Sequence, residues 1–144
     1  MRMILGSFLI LTSIFGCKTA QTAVDESSFI NVNWQLDSCP VLEEKALELR
    51  MNITFFYNQG EKGVSGFSGC NRFVGAAEWT KKSMSFGEMA ATEMFCDGRM
   101  DWEKSFVEML TSVNSYSMDG DKLILLDGKT VLATFSKQIK NIDQ

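Results

Sequence analysis

The sequence predicts an α+β domain in which antiparallel strands pack against one amphipathic helix. Apolar and polar residues alternate through residues 47–57, which is typical of a strand with one buried and one solvated face. Apolar residues within 98–113 instead recur every three or four positions, as they do along one side of a helix. Glycine turn signals separate short apolar runs in the last third of the chain, a pattern that indicates hairpins. A chain of 144 residues is expected to form one domain.

Residues 1–16 have the outline of a secretory signal peptide. Arg2 supplies a positive charge, and the apolar run that follows is shorter than the ~20 residues that a membrane-spanning helix requires. Gly16 then precedes Cys17, with Ile14 three positions before the cysteine. This order is similar to the bacterial lipobox, in which the cysteine is acylated and becomes the first residue, although Phe15 is larger than the usual side chain. An ordinary signal peptide with an incidental cysteine is the alternative.

The rest of the chain divides into three parts. Residues 17–29 are polar without apolar periodicity, so they are expected to form a flexible tether. Residues 30–137 form the predicted domain, and residues 138–144 form a polar tail.

The first half of the predicted domain consists of strands. Residues 33–36 bury Trp34 and Leu36, and the buried face of the second strand, at 47–57, carries Leu47, Leu49, Met51, Ile53, Phe55 and Tyr57. A loop at 58–63 predicts a hairpin into 64–68. Residues 66–75 combine glycines with Cys70 and aromatic residues, which indicates a strand interrupted by a bulge at the cysteine and continuing to Trp79. A turn at 80–82 leads into a strand at 83–86.

The second half contains the helix and a meander. The apolar stripe of the helix consists of Trp102, Phe106, Met109, Leu110 and Val113. Asp97 is the expected N-cap, and Asp101 and Glu103 suit the positive end of the helix dipole. The pairs at 119–120 and 127–128, each Asp followed by Gly, predict tight turns in a three-stranded meander.

A motif in the centre of the chain supports a family resemblance. It reads Gly69, Cys70, Asn71, Arg72 and Phe73, then Gly75, and a second cysteine, Cys96, follows in the run 92–96. With the helix and the final hairpins, the motif resembles the META domain family, also called HslJ-like heat-shock lipoproteins, over about residues 34–135. Glu93 is a departure, because many members carry a basic residue there.

The resemblance implies both a fold and a cellular context. The implied fold is a compact, strongly curved, barrel-like antiparallel sheet of about seven or eight strands packed against one amphipathic helix. The family is carried on bacterial envelope proteins, is linked to heat or antibiotic stress and has no generally assigned enzymatic reaction.

The cysteines have different expected roles. With Cys17 acylated, three remain, which is an odd number for an oxidising compartment. The family pattern implies a disulfide between Cys70 and Cys96, worth about 3–4 kcal/mol by the chain-entropy estimate. Cys39 is left over, either as a buried thiol, which is preferred, or as an intermolecular bridge.

No catalytic residue, cofactor or metal site is expected. The chain lacks histidine, and its cysteine spacing fits neither a zinc site nor a Cys-x-x-Cys redox motif. The carboxylates at turns and helix starts could act in catalysis, but solvation or helix capping is their preferred role. The methionines could bind Cu(I), but packing in the core is their preferred role. The carboxylates are Glu43, Glu44, Asp97, Asp101, Glu103, Asp119 and Asp121, and the methionines are Met84, Met89, Met94 and Met100.

The expected function is non-enzymatic binding of a protein partner in the bacterial envelope. A net charge of -4 gives no overall attraction for nucleic acid or acidic lipid, so a lipid on Cys17 would hold the protein at the (outer) membrane, facing the periplasm or the surface. Asn71, Arg72 and Phe73 are the candidate partner-binding or motif residues; securing the bend is the preferred role of Asn71, and Arg72 is left open between the two roles. A small-ligand or metal carrier is the alternative. An exposed apolar patch would favour a partner, and a deep polar pocket would favour a carrier.

The lipobox interpretation predicts the chemistry of the mature amino terminus. Intact mass of the membrane-extracted protein should show a chain that starts at an acylated Cys17, and Cys17→Ser should retain its signal peptide. A mature chain with a free amino terminus in the soluble fraction would refute the lipoprotein assignment.

Overall fold

Eight antiparallel strands and one α-helix make up the fold in a computed structural model that describes residues 25–138. The strands are β1 (Asn33–Ser38), β2 (Asn52–Asn58), β3 (Glu61–Phe67), β4 (Arg72–Trp79), β5 (Met84–Ala91), β6 (Ser115–Asp119), β7 (Lys122–Asp127) and β8 (Thr130–Lys137), and the helix is α1 (Met100–Thr111). Two 3₁₀ segments lie at Glu26–Ser28 and Glu44–Leu49. Within the described residues, no helix is long and apolar enough to cross a membrane.

The strands form a single curled sheet that closes only part of a barrel. Their order is β5-β4-β3-β2-β1-β8-β7-β6, so β5 and β6 are the edges. The edges meet at one point, where Ser83 bridges to Ser115 and the Met84 N–H donates to the Asn114 carbonyl at 3.3 Å. The predicted α+β class, with a strongly curved antiparallel sheet and one packed helix, is confirmed.

The helix packs its predicted stripe against this sheet. Phe106, Met109 and Leu110 are buried and Trp102 is half-buried, whereas Val113, the last residue of the predicted stripe, is buried beyond the end of the helix. The Phe106 ring lies 6.2 Å from that of Phe73 on β4 and 6.4 Å from that of Phe135 on β8, measured between centroids. Because it contacts both halves of the curled sheet, α1 fills the interior that the strands leave open. The predicted Asp97 cap is wrong, since Arg99 is the N-cap and makes no side-chain capping bond.

The hairpins of the sheet follow the turn signals. Residues 59–60 join β2 to β3, and Gly120 and Gly128 open the two turns of the C-terminal meander, both with positive φ. Trp34 and Leu36 are buried in β1 as predicted. The hairpins and the three-stranded meander are therefore confirmed.

The long strand predicted at 47–57 is wrong in its first half. Leu47 and Leu49 belong to the 3₁₀ helix Glu44–Leu49, and Arg50 then adopts a left-handed conformation (φ 53°) that ends it before β2 begins. Both leucines still pack against the core. Alternation over 47–50 therefore reflected partial burial and not strand geometry.

The bulged strand predicted at 66–75 is also wrong, because the chain reverses there. Phe67 pairs with Arg72, and the intervening residues 68–71 form a tight turn in which Gly69 has a φ of 101°. A side chain at Gly69 would be strained by that φ. The register irregularity in this region lies instead between Gly75 and Ala77, in the pairing of β4 with β5.

The domain begins before residue 30. Phe29 is fully buried, and its ring packs edge-on against Phe55, Trp79 and Tyr116 at centroid distances of 5.4–5.6 Å. The Phe29 carbonyl accepts a hydrogen bond from Trp34 Nε1 at 3.1 Å. Residues 25–29 of the expected tether are therefore part of the packed domain. The predicted signal peptide, Cys17, the rest of the tether and the tail beyond residue 138 lie outside the described residues.

Truncating this side chain tests the revised boundary. Phe29→Ala should lower the free energy of unfolding by about 3–5 kcal/mol, because it removes a fully buried ring. The matched control Phe95→Ala removes an exposed ring and should change stability by less than about 0.5 kcal/mol. Thermal or urea unfolding measures both, and equal effects would show that the segment at 25–29 is not part of the core.

Candidate functional site

A disulfide joins the β3–β4 turn to the loop between β5 and α1. Cys70 and Cys96 are bonded, with their Cα atoms 5.9 Å apart, as the family resemblance implied. The second cysteine lies in residues 92–99, called the β5–α1 loop below. The disulfide therefore fixes the middle of this loop to the turn at 68–71.

The Asn71 side chain holds the same loop through hydrogen bonds. Its Oδ1 accepts from the Met94 N–H and from Thr92 Oγ1, both at 2.7 Å. Its Nδ2 donates to the Met94 carbonyl at 3.0 Å and to Glu103 Oε2 at 2.9 Å. An amide can donate two hydrogen bonds and accept two, so every position of Asn71 is used. The residue is 2% exposed, which excludes competing water.

Glu103 on the first turn of α1 completes this buried network. It is 8% exposed, and its Oε1 lies 3.0 Å from Ser68 Oγ, which is also 2.9 Å from the Asn71 carbonyl. The only ion pair among residues 25–138 is the exposed Lys104–Glu108 pair, so no cation offsets the buried carboxyl. The Glu103 carboxyl is instead stabilised by hydrogen bonds from Ser68 and Asn71 and by the positive end of the helix dipole.

Glu103 was expected to be solvated, and this expectation is wrong because its side chain is buried. Its position in the first turn of α1 is as predicted. It lies three positions before Phe106 and seven before Leu110, which places it on the buried stripe of α1. This spacing was visible in the sequence and could have indicated a buried carboxylate. Its partners on the β3–β4 turn could not be inferred, because they lie 32 and 35 residues away.

The pinned loop displays an apolar surface. Met94, Phe95 and Met100 are 59%, 81% and 38% exposed, and together they are called the Met94–Phe95–Met100 surface below. The Met100 thioether accepts a hydrogen bond from the Cys96 N–H at 3.5 Å, which ties the helix start to the disulfide. Hydrogen bonds thus hold the backbone at Met94 and Cys96, while the Met94 and Phe95 side chains face solvent.

The predicted motif residues divide between core and surface. Asn71 and Phe73 are buried, so Asn71 secures the loop and Phe73 packs in the core. Arg72 is exposed, and its backbone N–H donates to Thr92 Oγ1 at 3.2 Å. Of the three candidates, only Arg72 offers its side chain to a partner. Sequence reasoning did not single out Phe95 as a surface residue.

Cys39 and the four methionines considered for copper lie in different environments. Cys39 is a buried free thiol, and burial raises its pKa. Of the four methionines considered for copper, Met84 is buried and Met89 half-buried, whereas Met94 and Met100 are exposed. Residues 25–138 contain no group of three or more Cys, Asp or Glu residues arranged to hold a metal ion.

Two surface grooves lie beside α1. The groove beside the start of α1 has a volume of about 290 Å³ and mixes charges of both signs, from Lys45, Glu48, Asp97 and Arg99, beside the half-buried Trp102. A second groove of about 260 Å³ lies between α1 and Leu132. Neither matches a ligand pocket lined by apolar side chains with a few convergent polar groups.

Two variants of Glu103 test the network. Glu103→Ala should cost about 2–4 kcal/mol, because it leaves Asn71 Nδ2 and Ser68 Oγ buried with fewer partners. Glu103→Gln should cost less than about 1 kcal/mol, since its amide can accept from Asn71 and donate to Ser68. Urea unfolding measures both, and equal losses would contradict the hydrogen-bond account.

Known proteins share this fold and this sequence family. The chain resembles the NMR structure of a protein from Burkholderia xenovorans at 20% identity, with a TM-score of 0.61 over 91% of this chain and 100% of that one. It also resembles the crystal structure of a duf4847 family protein from Bacteroides vulgatus at 16% identity, with a TM-score of 0.56 over 79% and 99% of the two chains. No protein of curated function matches it. The sequence model of the META domain matches residues 27–139. The chain therefore belongs to the META domain family.

Proposed function

We propose that this protein is a non-enzymatic component of the bacterial envelope that binds a protein partner through its Met94–Phe95–Met100 surface. The observation that carries the proposal is an 81% exposed phenylalanine on a loop that a disulfide and a buried asparagine hold in place. A lipid on Cys17 would anchor the protein, and the link of the family to heat or antibiotic stress supports a role in such stress.

The composition of this surface suits a protein interface. Phenylalanine and methionine are enriched at interface centres, and exposed aromatic side chains often supply much of the binding energy. Phe95 adds almost nothing to the fold, because most of its ring faces solvent. Holding the loop fixed before binding lowers the entropic cost of association. The rigid loop and its exposed ring together favour recognition over a purely structural role.

The Met94–Phe95–Met100 surface lies far from residues 25–29, where the described domain begins. The domain begins at residues 25–29, where Tyr57 donates a hydrogen bond to Glu26 at 2.7 Å near the end of β2. The end of β2 lies beside the start of β3. The β5–α1 loop is bonded to the turn that follows the other end of β3. A seven-residue strand such as β3 spans ~23 Å, so about this distance separates the start of the domain from the Met94–Phe95–Met100 surface.

Truncation of the exposed ring tests the proposal. Cross-linking in intact cells, followed by purification of the anchored protein, should recover a partner from the unmodified chain and about tenfold less from Phe95→Ala. Val131→Ala is the matched control, because Val131 is 44% exposed on β8.

Two outcomes would contradict the proposal. One is equal recovery of every cross-linked protein by the unmodified chain and Phe95→Ala. The other is Phe95-dependent binding of the purified soluble domain to vesicles of phosphatidylethanolamine and phosphatidylglycerol, which would identify lipid as the ligand.

A further inference from the structure

The structure points to an extended segment with basic side chains as the part of the partner that this protein binds, paired to the open edge of β5. We infer that the segment adds a strand beside Met89 and Ala91 and reaches the Met94–Phe95–Met100 surface. This inference deepens the proposed function and rests on it.

The backbone of β5 is unpaired on its outer side beyond the point where it meets β6. The Thr92 N–H donates to the Arg72 carbonyl of β4 at 3.0 Å, so it points into the sheet. Backbone groups alternate along a strand, so those of Ala91 and Met89 point to the open edge. The Met84 N–H also points to this edge, because it donates to the Asn114 carbonyl. Strict alternation from Met84 would turn the Met89 N–H inward, but the pairing irregularity opposite Gly75 and Ala77 adds one residue to β5 and restores the outward direction.

Side chains leave this edge accessible. Gly87, Glu88, Ala90 and Ala91 are exposed, and apart from Glu88 they are small. Natural sheets block their edges with charged side chains, proline, β-bulges or a covering element, because free edge groups can pair with another strand. Residues 87–91 carry neither lysine nor proline, and their one charge, Glu88, and the irregularity opposite Gly75 and Ala77 leave the Met89 and Ala91 N–H groups unpaired. An extended peptide is the ligand whose backbone can satisfy these groups.

The charges beside the edge select the kind of segment. Glu88 lies within the free part of β5, and Glu93 lies just beyond it, next to Met94. Neither forms an ion pair with any residue of 25–138. Lysine or arginine side chains on an added strand would complement both carboxylates. A second copy of this chain would instead bring its own Glu88 and Glu93 to the same edge, and like charges in close pairs are destabilising.

A designed peptide can test strand pairing directly. The probe is a capped seven-residue peptide of alternating valine and threonine with a lysine at each end, titrated into the ¹⁵N-labelled soluble domain to about 1 mM, which detects even weak binding. The amide signals of Met89 and Ala91 should shift, and their hydrogen exchange should slow, because both N–H groups gain acceptors. A peptide with glutamates in place of lysines should bind about tenfold more weakly.

Two controls isolate the backbone contribution. The lysine peptide N-methylated on alternate residues lacks the donors that face one side, and methylation on the side that meets β5 should abolish the shifts. Ala91→Pro removes one N–H from the open edge without removing a bond to β4, so it should weaken peptide binding about tenfold. Detection of the Cys70–Cys96 disulfide and of a cooperative unfolding transition would show that Ala91→Pro is folded.

The outcomes separate this inference from the proposed function. No shift at Met89 and Ala91, shifts confined to other surfaces, or equal binding of the methylated peptides would overturn strand pairing. Exchange at these amides that slows with protein concentration alone would identify a second copy as the occupant and also overturn it. If Ala91→Pro still recovers the Phe95-dependent partner at the unmodified level, the proposed function stands and strand pairing fails.

Discussion

The Asn71 side-chain amide is the contact on which the rest of the site depends. It lies on a four-residue turn, yet it connects that turn to the β5–α1 loop through Thr92 and Met94 and to α1 through Glu103. All its hydrogen-bonding positions are used in a buried environment, where an unsatisfied polar group is costly. A smaller or differently shaped side chain could not replace these contacts together.

The disulfide and the amide constrain the loop in different ways. The Cys70–Cys96 bond limits the unfolded chain and keeps the two segments together. A disulfide alone would let the loop rotate about its sulfur atoms, whereas the hydrogen bonds from Asn71 to the Met94 N–H and carbonyl set the backbone direction. With both present, Phe95 is held outward at 81% exposure. The cost of ordering the loop is thus met on folding and not on binding.

Much of the fold could be predicted from the sequence, because the responsible patterns are local. The helical stripe from Trp102 to Leu110 lies within one helix, and the meander turns at Gly120 and Gly128 each lie within one hairpin. Alternation through Leu47 and Leu49 was misleading, since a 3₁₀ segment packed on a core also buries apolar residues at intervals. Propensity cannot separate those two cases without knowledge of what lies beneath the segment.

The candidate site was predictable only in part, because its contacts join distant parts of the chain. The disulfide was accessible through a family motif. The burial of Glu103 depends on Ser68 and Asn71, and that of Phe29 depends on aromatic residues from three strands. The exposure of Phe95 could not be predicted either, because a hydrophobic residue is expected to be buried until the position of its loop is known.

Hydrogen exchange of the Met94 amide tests the central claim most directly. This N–H belongs to a loop whose side chains are exposed, and the account predicts that it exchanges at least about a hundredfold more slowly than in an unstructured peptide, since it donates to buried Asn71. The protection should disappear in Asn71→Ala while the amides at the centre of β7 stay protected. Exchange at the unstructured rate in the unmodified protein, with the disulfide intact, would contradict the account.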